Sequence, residues 1–142
     1  MSVFELFLKL PLFKGVELEE LISLIPRIVL DFEDFQAGKT IFKKHDSPDG
    51  IYYLLKGRVA LVSDGNSEEK SDNSLLSFTG LFGDDRTFVT DAIAIEDSHI
   101  LTIDTKSLIY LLKSNTTILY NYLTLLSLTS EKGKCLEILK KI

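Results

Sequence analysis

A 142-residue chain that is 45% apolar is long enough to bury one core without disulfide staples, and its net charge of −5 argues against nucleic-acid binding by this chain alone. No apolar run approaches the roughly 18 residues of a membrane span. The start Met1-Ser2-Val3-Phe4-Glu5 lacks the basic segment and small-residue cleavage site of a secretory leader, and the single Cys135 permits no internal disulfide, so a cytoplasmic protein is expected.

In chain order, the first pattern is helical. Apolar residues recur from Phe4 through Phe7, Leu8, Leu10, Leu12 and Phe13, broken at Pro11. The stretch from Glu17 to Ile25 reads as a short amphipathic helix with acids in its first turn and Pro26 closing it. From Arg27 the period changes to short β-branched and aromatic runs punctuated by turn residues. The expected strands are Arg27–Phe32, Lys39–Lys43, Ile51–Lys56, Arg58–Ser63, Leu75–Phe78, Thr87–Ile95 and His99–Ile103. Gln36-Ala37-Gly38, Asp46 to Gly50, Lys56-Gly57 and Asp64-Gly65-Asn66 supply turns, and the polar stretch Asp64 to Asn73 is expected to be a hairpin tip or loop.

Helix returns after Asp104-Thr105, either of which can cap Lys106–Lys113, and Ser114-Asn115-Thr116 can cap again. The final pattern, from Ile118 through Leu139, is apolar around much of its circumference between Ile118 and Leu128. Such a helix needs cover on more than one side, so Ile118, Leu119, Tyr122 and Leu126 are expected to meet a second copy of the chain, a fully buried core helix being the other reading. Lys132, Lys134, Lys140 and Lys141 fit the negative end of that helix better than a phosphate backbone. The organisation expected is a helical lead-in over 1–26, a β-barrel over 27–104 and C-terminal helices over 105–142.

Six phrases in this order resemble the cyclic nucleotide-binding domain of the catabolite-activator (Crp/Fnr) regulators. They are Leu10-Pro11-Leu12-Phe13-Lys14-Gly15 with Leu18-Glu19-Glu20-Leu21, Gly38-Lys39-Thr40-Ile41-Phe42, the run Asp49 to Val62 around Gly57, Phe82-Gly83-Asp84, Ala94 to Ile103, and the long last helix. The resemblance implies a mainly β fold: an eight-stranded jelly-roll (double-stranded β-helix) barrel with N-terminal helices and a long C-terminal helix that dimerises. It also implies an effector held inside the barrel, its cyclic phosphate on backbone amides and a bidentate arginine, its ribose hydroxyl on a glutamate.

Three departures bear on that site. Asp84 stands for the glutamate, one methylene shorter. The family's arginine follows its cassette glycine by about ten residues, whereas Gly83 is followed by a shortened segment in which Thr90 falls near the arginine's place. Asp84, Asp85 and Asp91 put acids where a phosphate would approach. Gly83, Asp84, Arg86, Thr90 and Tyr122 are therefore the candidate effector residues. Arg86 reads either as a displaced phosphate ligand or, the favoured reading, as a surface arginine paired with Asp84 or Asp85. Cyclic AMP is expected to bind weakly or not at all in the family's way, and no cofactor is expected.

Other constellations are sparse. His45 is expected in an exposed turn and His99 half-buried at a strand start; without a clustered His-x-His, neither makes a cupin-like metal site. Cys135 reads as a structural helix cysteine, and no nucleophile elbow, Walker lysine or Gly-x-Gly-x-x-Gly is present. The expectation is a non-catalytic effector sensor, with DNA reading only if a helix-turn-helix is supplied elsewhere; the alternative is a stand-alone protein-interaction module.

Overall fold

The structure is a computed structural model that describes residues 3–82 and 86–127. The lead-in is two short helices, α1 (Val3–Leu8) and α2 (Leu18–Leu24), each followed by a proline-bearing 3₁₀ turn, Pro11–Phe13 and Ile25–Arg27. Proline's fixed φ suits the first residues of such turns, so Pro11 and Pro26 redirect the chain at these points. The ring edge of Phe7 meets Phe13 at 5.0 Å, which folds the lead-in back on itself.

Eight strands follow: β1 (Leu30–Phe35), β2 (Thr40–Phe42), β3 (Gly50–Lys56), β4 (Val59–Ser63), β5 (Asn66–Lys70), β6 (Ser74–Ser77), β7 (Asp91–Ala94) and β8 (Ser98–Asp104). They form two four-stranded antiparallel sheets, ordered β1-β8-β3-β6 and β2-β7-β4-β5. This is the expected eight-stranded jelly roll with flanking helices. Between β3 and β4, Gly57 holds φ at 123°, and a Cβ there would lie 2.4 Å from Ser98 Oγ. Only glycine makes that turn without displacing β8.

Three strands differ from expectation. The first begins at Leu30 rather than Arg27 and runs through Asp31, Glu33 and Asp34, because it is an exposed sheet edge where charge is tolerated. The expected loop at 64–73 contains β5, whose residues Asn66 to Lys70 pair with Ser63 back to Val59. Its register is set by Asp64 and Gly65, at φ 48° and 81°, which form the two-residue turn that matches strand twist. The run expected over Thr87–Ile95 is strand only from Asp91 to Ala94.

Alternate residues of the first sheet feed two hydrophobic clusters. Ile51, Tyr53, Leu101 and Ile103 face the helices and pack with Phe7, Phe13, Leu21, Leu108 and Ile118. Leu54, Leu76 and Ile100 face the second sheet and pack with Phe42, Val59, Phe88 and Ala92. Helix α3 (Thr105–Ser114) is capped by Asp104, whose carboxylate accepts from Ser107 N at 2.8 Å. Asn115 caps again, its Oδ1 accepting from Ile118 N at 3.0 Å, and residues 116–127 form α4 up to the last described position. No helix among the described residues is long and apolar enough to cross a membrane.

Candidate functional site

A cleft of about 230 Å³ lies where the sheet edges β5 and β6 diverge. Leu61, Glu68 and Lys70 form one wall, Leu75 to Phe78 the other, and Thr79, Val89 and Thr90 close the side. The β4–β5 register explains the first wall, since Glu68 stands opposite Leu61 and Lys70 opposite Val59. Residues two apart on a strand share a face, so Glu68 and Lys70 point the same way and their side chains meet at 2.9 Å. A second hollow of about 180 Å³ shares Leu61, Glu68 and Thr90 and extends toward the hairpin tip at Ser63 and Asn66.

The segment closing the cleft is fixed at both ends. Gly80 holds φ at 72°, and a Cβ there would lie 2.3 Å from Thr87 O, so the two residues form a tight stem. Phe88 N donates to Asp46 O at 2.9 Å, and Phe88 O accepts from His45 N at 3.1 Å. The Phe88 ring stacks on Phe42 at 4.0 Å, nearly parallel, inside the second cluster. This anchor explains why the expected strand fails before Asp91: Phe88 turns inward to plug the barrel and its backbone bonds the β2–β3 turn instead.

The candidate effector residues separate accordingly. Thr90 is half-buried and lines the cleft. Arg86 is exposed and not among the lining residues. Tyr122 stands behind the wall: it is 3% exposed and its hydroxyl donates to Phe78 O at 2.9 Å, while its ring meets the edge of Phe82 at 6.2 Å. Burial pushes its ionisation up to about 12. Gly83 and Asp84, with Asp85, lie outside the described residues. Glu68 and Lys70 were missed because β5 carries no apolar alternation; the Asp64-Gly65 pair, a two-residue hairpin signal, was the clue that could have found them.

The histidines are both exposed. His45 sits in its turn at φ 77°, and His99, expected half-buried, pairs with Asp34 across the β1–β8 ladder. The expected contact between chains is redrawn. Ile118 is fully buried and Tyr122 nearly so, both in their own chain's core, and Leu126 is partly buried against it. Leu119, Tyr120 and Leu123 carry the exposed apolar surface of α4, at 36%, 70% and 52%.

Residues 32–115 match the family model of the cyclic nucleotide-binding domain. The chain belongs to this family. The cyclic nucleotide-binding domain shares its fold with the catabolite activator protein of Thermus thermophilus, at a TM-score of 0.75 and 22% identity, over 92% of this chain and 63% of that one. It also matches the sensor domain of the transcriptional regulator DNR from Pseudomonas aeruginosa, at a TM-score of 0.73 and 21% identity, over 89% and 91% of the two chains. A shorter stretch of 48 residues is 40% identical to lysophospholipase NTE1 of Kluyveromyces lactis, covering 32% of this chain and 3% of that protein. The domain thus spans just under two thirds of the activator and a small part of the lysophospholipase.

Proposed function

We propose that this cyclic nucleotide-binding domain is a non-catalytic sensor of the Crp/Fnr regulator type whose cassette no longer clamps a cyclic phosphate through arginine. The observation that carries the reading is the placement of the residues on either side of Thr87: Thr90 lines the cleft while Arg86 is exposed outside its lining. Losing one partner of a buried charge pair costs about 2–5 kcal/mol, or roughly thirty-fold to several-thousand-fold in affinity. Calorimetric titration of the chain with cyclic AMP and cyclic GMP at high micromolar concentration tests this. Weak or absent heat, unaltered by Arg86→Ala, is the expected result; tight saturable binding abolished by Arg86→Ala overturns it.

The sensor's output runs through α4. Tyr122 joins the cleft wall at Phe78 to the helix, so a ligand that moves Phe78 biases the packing of α4 by population shift. The exposed Leu119, Tyr120 and Leu123 support contact with a second copy, and DNA reading requires a helix-turn-helix supplied elsewhere. Sedimentation at micromolar concentration checks the contact: the chain is expected to run as a dimer and its Leu123→Lys variant as a monomer.

A further inference from the structure

We infer that Lys70, a residue of β5 and not of the cassette, is the cation that meets the ligand of this cleft. The ligand class it selects is a small monoanion with an apolar body. The inference rests on the cleft being the effector site, as proposed above, and adds which charge the site offers and where it comes from.

Three observations carry it. Lys70 is the one cationic side chain lining the cleft among the described residues, and its side chain is 31% exposed, largely covered yet open to solvent. Its partner Glu68 is 69% exposed, which makes their 2.9 Å ion pair the weak surface kind, worth at most about 1 kcal/mol. An incoming anion therefore needs to outbid only a solvated carboxylate, and Lys70 exchanges Glu68 for the ligand at small cost. Opposite, Leu76 of the barrel-side cluster gives the cleft an apolar wall, and Ser77, Thr79 and Thr90, which also line it, carry hydroxyls able to hydrogen-bond a ligand. A cleft of about 230 Å³ is below the usual ~300–1,000 Å³ of small-molecule pockets, so the ligand is small or only partly enclosed.

Glu68 sets the threshold. While it holds Lys70, the two described charges of the cleft cancel and a neutral molecule is not disfavoured; once it is removed, the cleft becomes cationic.

Cyclic AMP and adenosine are suitable probes, because they share a body and differ by one anionic group. Affinities are read by calorimetry at millimolar ligand on the wild-type chain and the Lys70→Met, Glu68→Gln and Arg86→Ala variants. Cyclic AMP is expected to bind about tenfold more tightly than adenosine, the order of one charge-assisted contact. Lys70→Met should erase that ratio, Glu68→Gln should raise it up to about fivefold, and Arg86→Ala should leave it unchanged. Thermal melts confirm that each variant folds, which these partly exposed positions permit. A ratio unchanged by both Lys70→Met and Glu68→Gln overturns the inference, as does the absence of binding by either probe, and both leave the cassette reading standing. A ratio lost in Arg86→Ala but not in Lys70→Met overturns both.

Discussion

The two hydrophobic clusters of this domain lie on opposite faces of one sheet and differ in what closes them. The helix-side cluster is sealed: Phe7, Phe13, Leu101, Leu108 and Ile118 are all fully buried, and α1, α2, α3 and α4 cover the sheet. The barrel-side cluster is smaller, is built around the Phe42–Phe88 stack, and opens at one edge, where Leu61 and Leu76 also line the cleft. Adjacent residues of β3 and β8 divide between them, Tyr53 and Leu101 on the helix side, Leu54 and Ile100 on the barrel side. The sealed cluster carries most of the buried core, while the cleft borders both clusters, through Leu61 and Leu76 on the barrel side and through Leu75 and Phe78 on the helix side.

That division is open to direct attack. Phe13→Ala empties a fully buried position of the sealed cluster and is expected to cost about 3–5 kcal/mol in urea unfolding, with cleft affinity unchanged in the folded fraction. Leu76→Ala removes a side chain shared by the open cluster and the cleft. It should cost about 2–3 kcal/mol, at the low end for leucine because the cleft lets the site relax, and should alter probe binding as well. Equal losses of stability with no change in binding would erase the distinction.

The tyrosines sharpen it. Tyr122→Phe deletes the hydrogen bond to Phe78 O and should cost about 1 kcal/mol near neutral pH. The folded state holds this phenol protonated up to about 12, whereas the unfolded chain ionises near its ordinary 10.0. The unfolded state therefore releases the proton first, and stability is lost as pH rises from about 10 to 12, by about 1.4 kcal/mol per pH unit at most. The variant should show a shallower alkaline decline than the wild type. Tyr53→Phe is the smallest change: its buried hydroxyl makes no well-formed hydrogen bond, only a weak approach to the Leu12 backbone, so removal should be near neutral in the same melts.

The sequence made the sealed face far more legible than the open one. β3 and β8 are continuous apolar runs because both their faces are buried, and they were placed nearly to the residue. Asp104 and Asn115 were readable as caps because each is a short polar side chain at the start of an apolar helical pattern. At the open edge the same rules fail. Asn66-Ser67-Glu68-Glu69-Lys70 has no apolar alternation, because an edge strand facing a cleft buries little, and its order comes from β4 and from the Asp64-Gly65 turn. Arg86 and Thr90 were compared by counting along the chain, but only the Phe88 anchor decides which of them turns toward the cleft. Ile118 and Tyr122 were read as contact residues because periodicity reports that a side chain is apolar and not whose core it enters.

The Gly80–Thr87 stem has a consequence for engineering. The chain is pinned there and again at Phe88, and on the near side Leu81 is buried in the helix-side cluster and the Phe82 ring meets Tyr122. Loop-closure entropy grows only logarithmically, about 0.6 kcal/mol for each doubling of length, so a graft of several residues carrying an arginine is thermodynamically inexpensive. The stem thus gives an inserted segment two fixed points to join, so ligand contacts can be varied there without rebuilding the core.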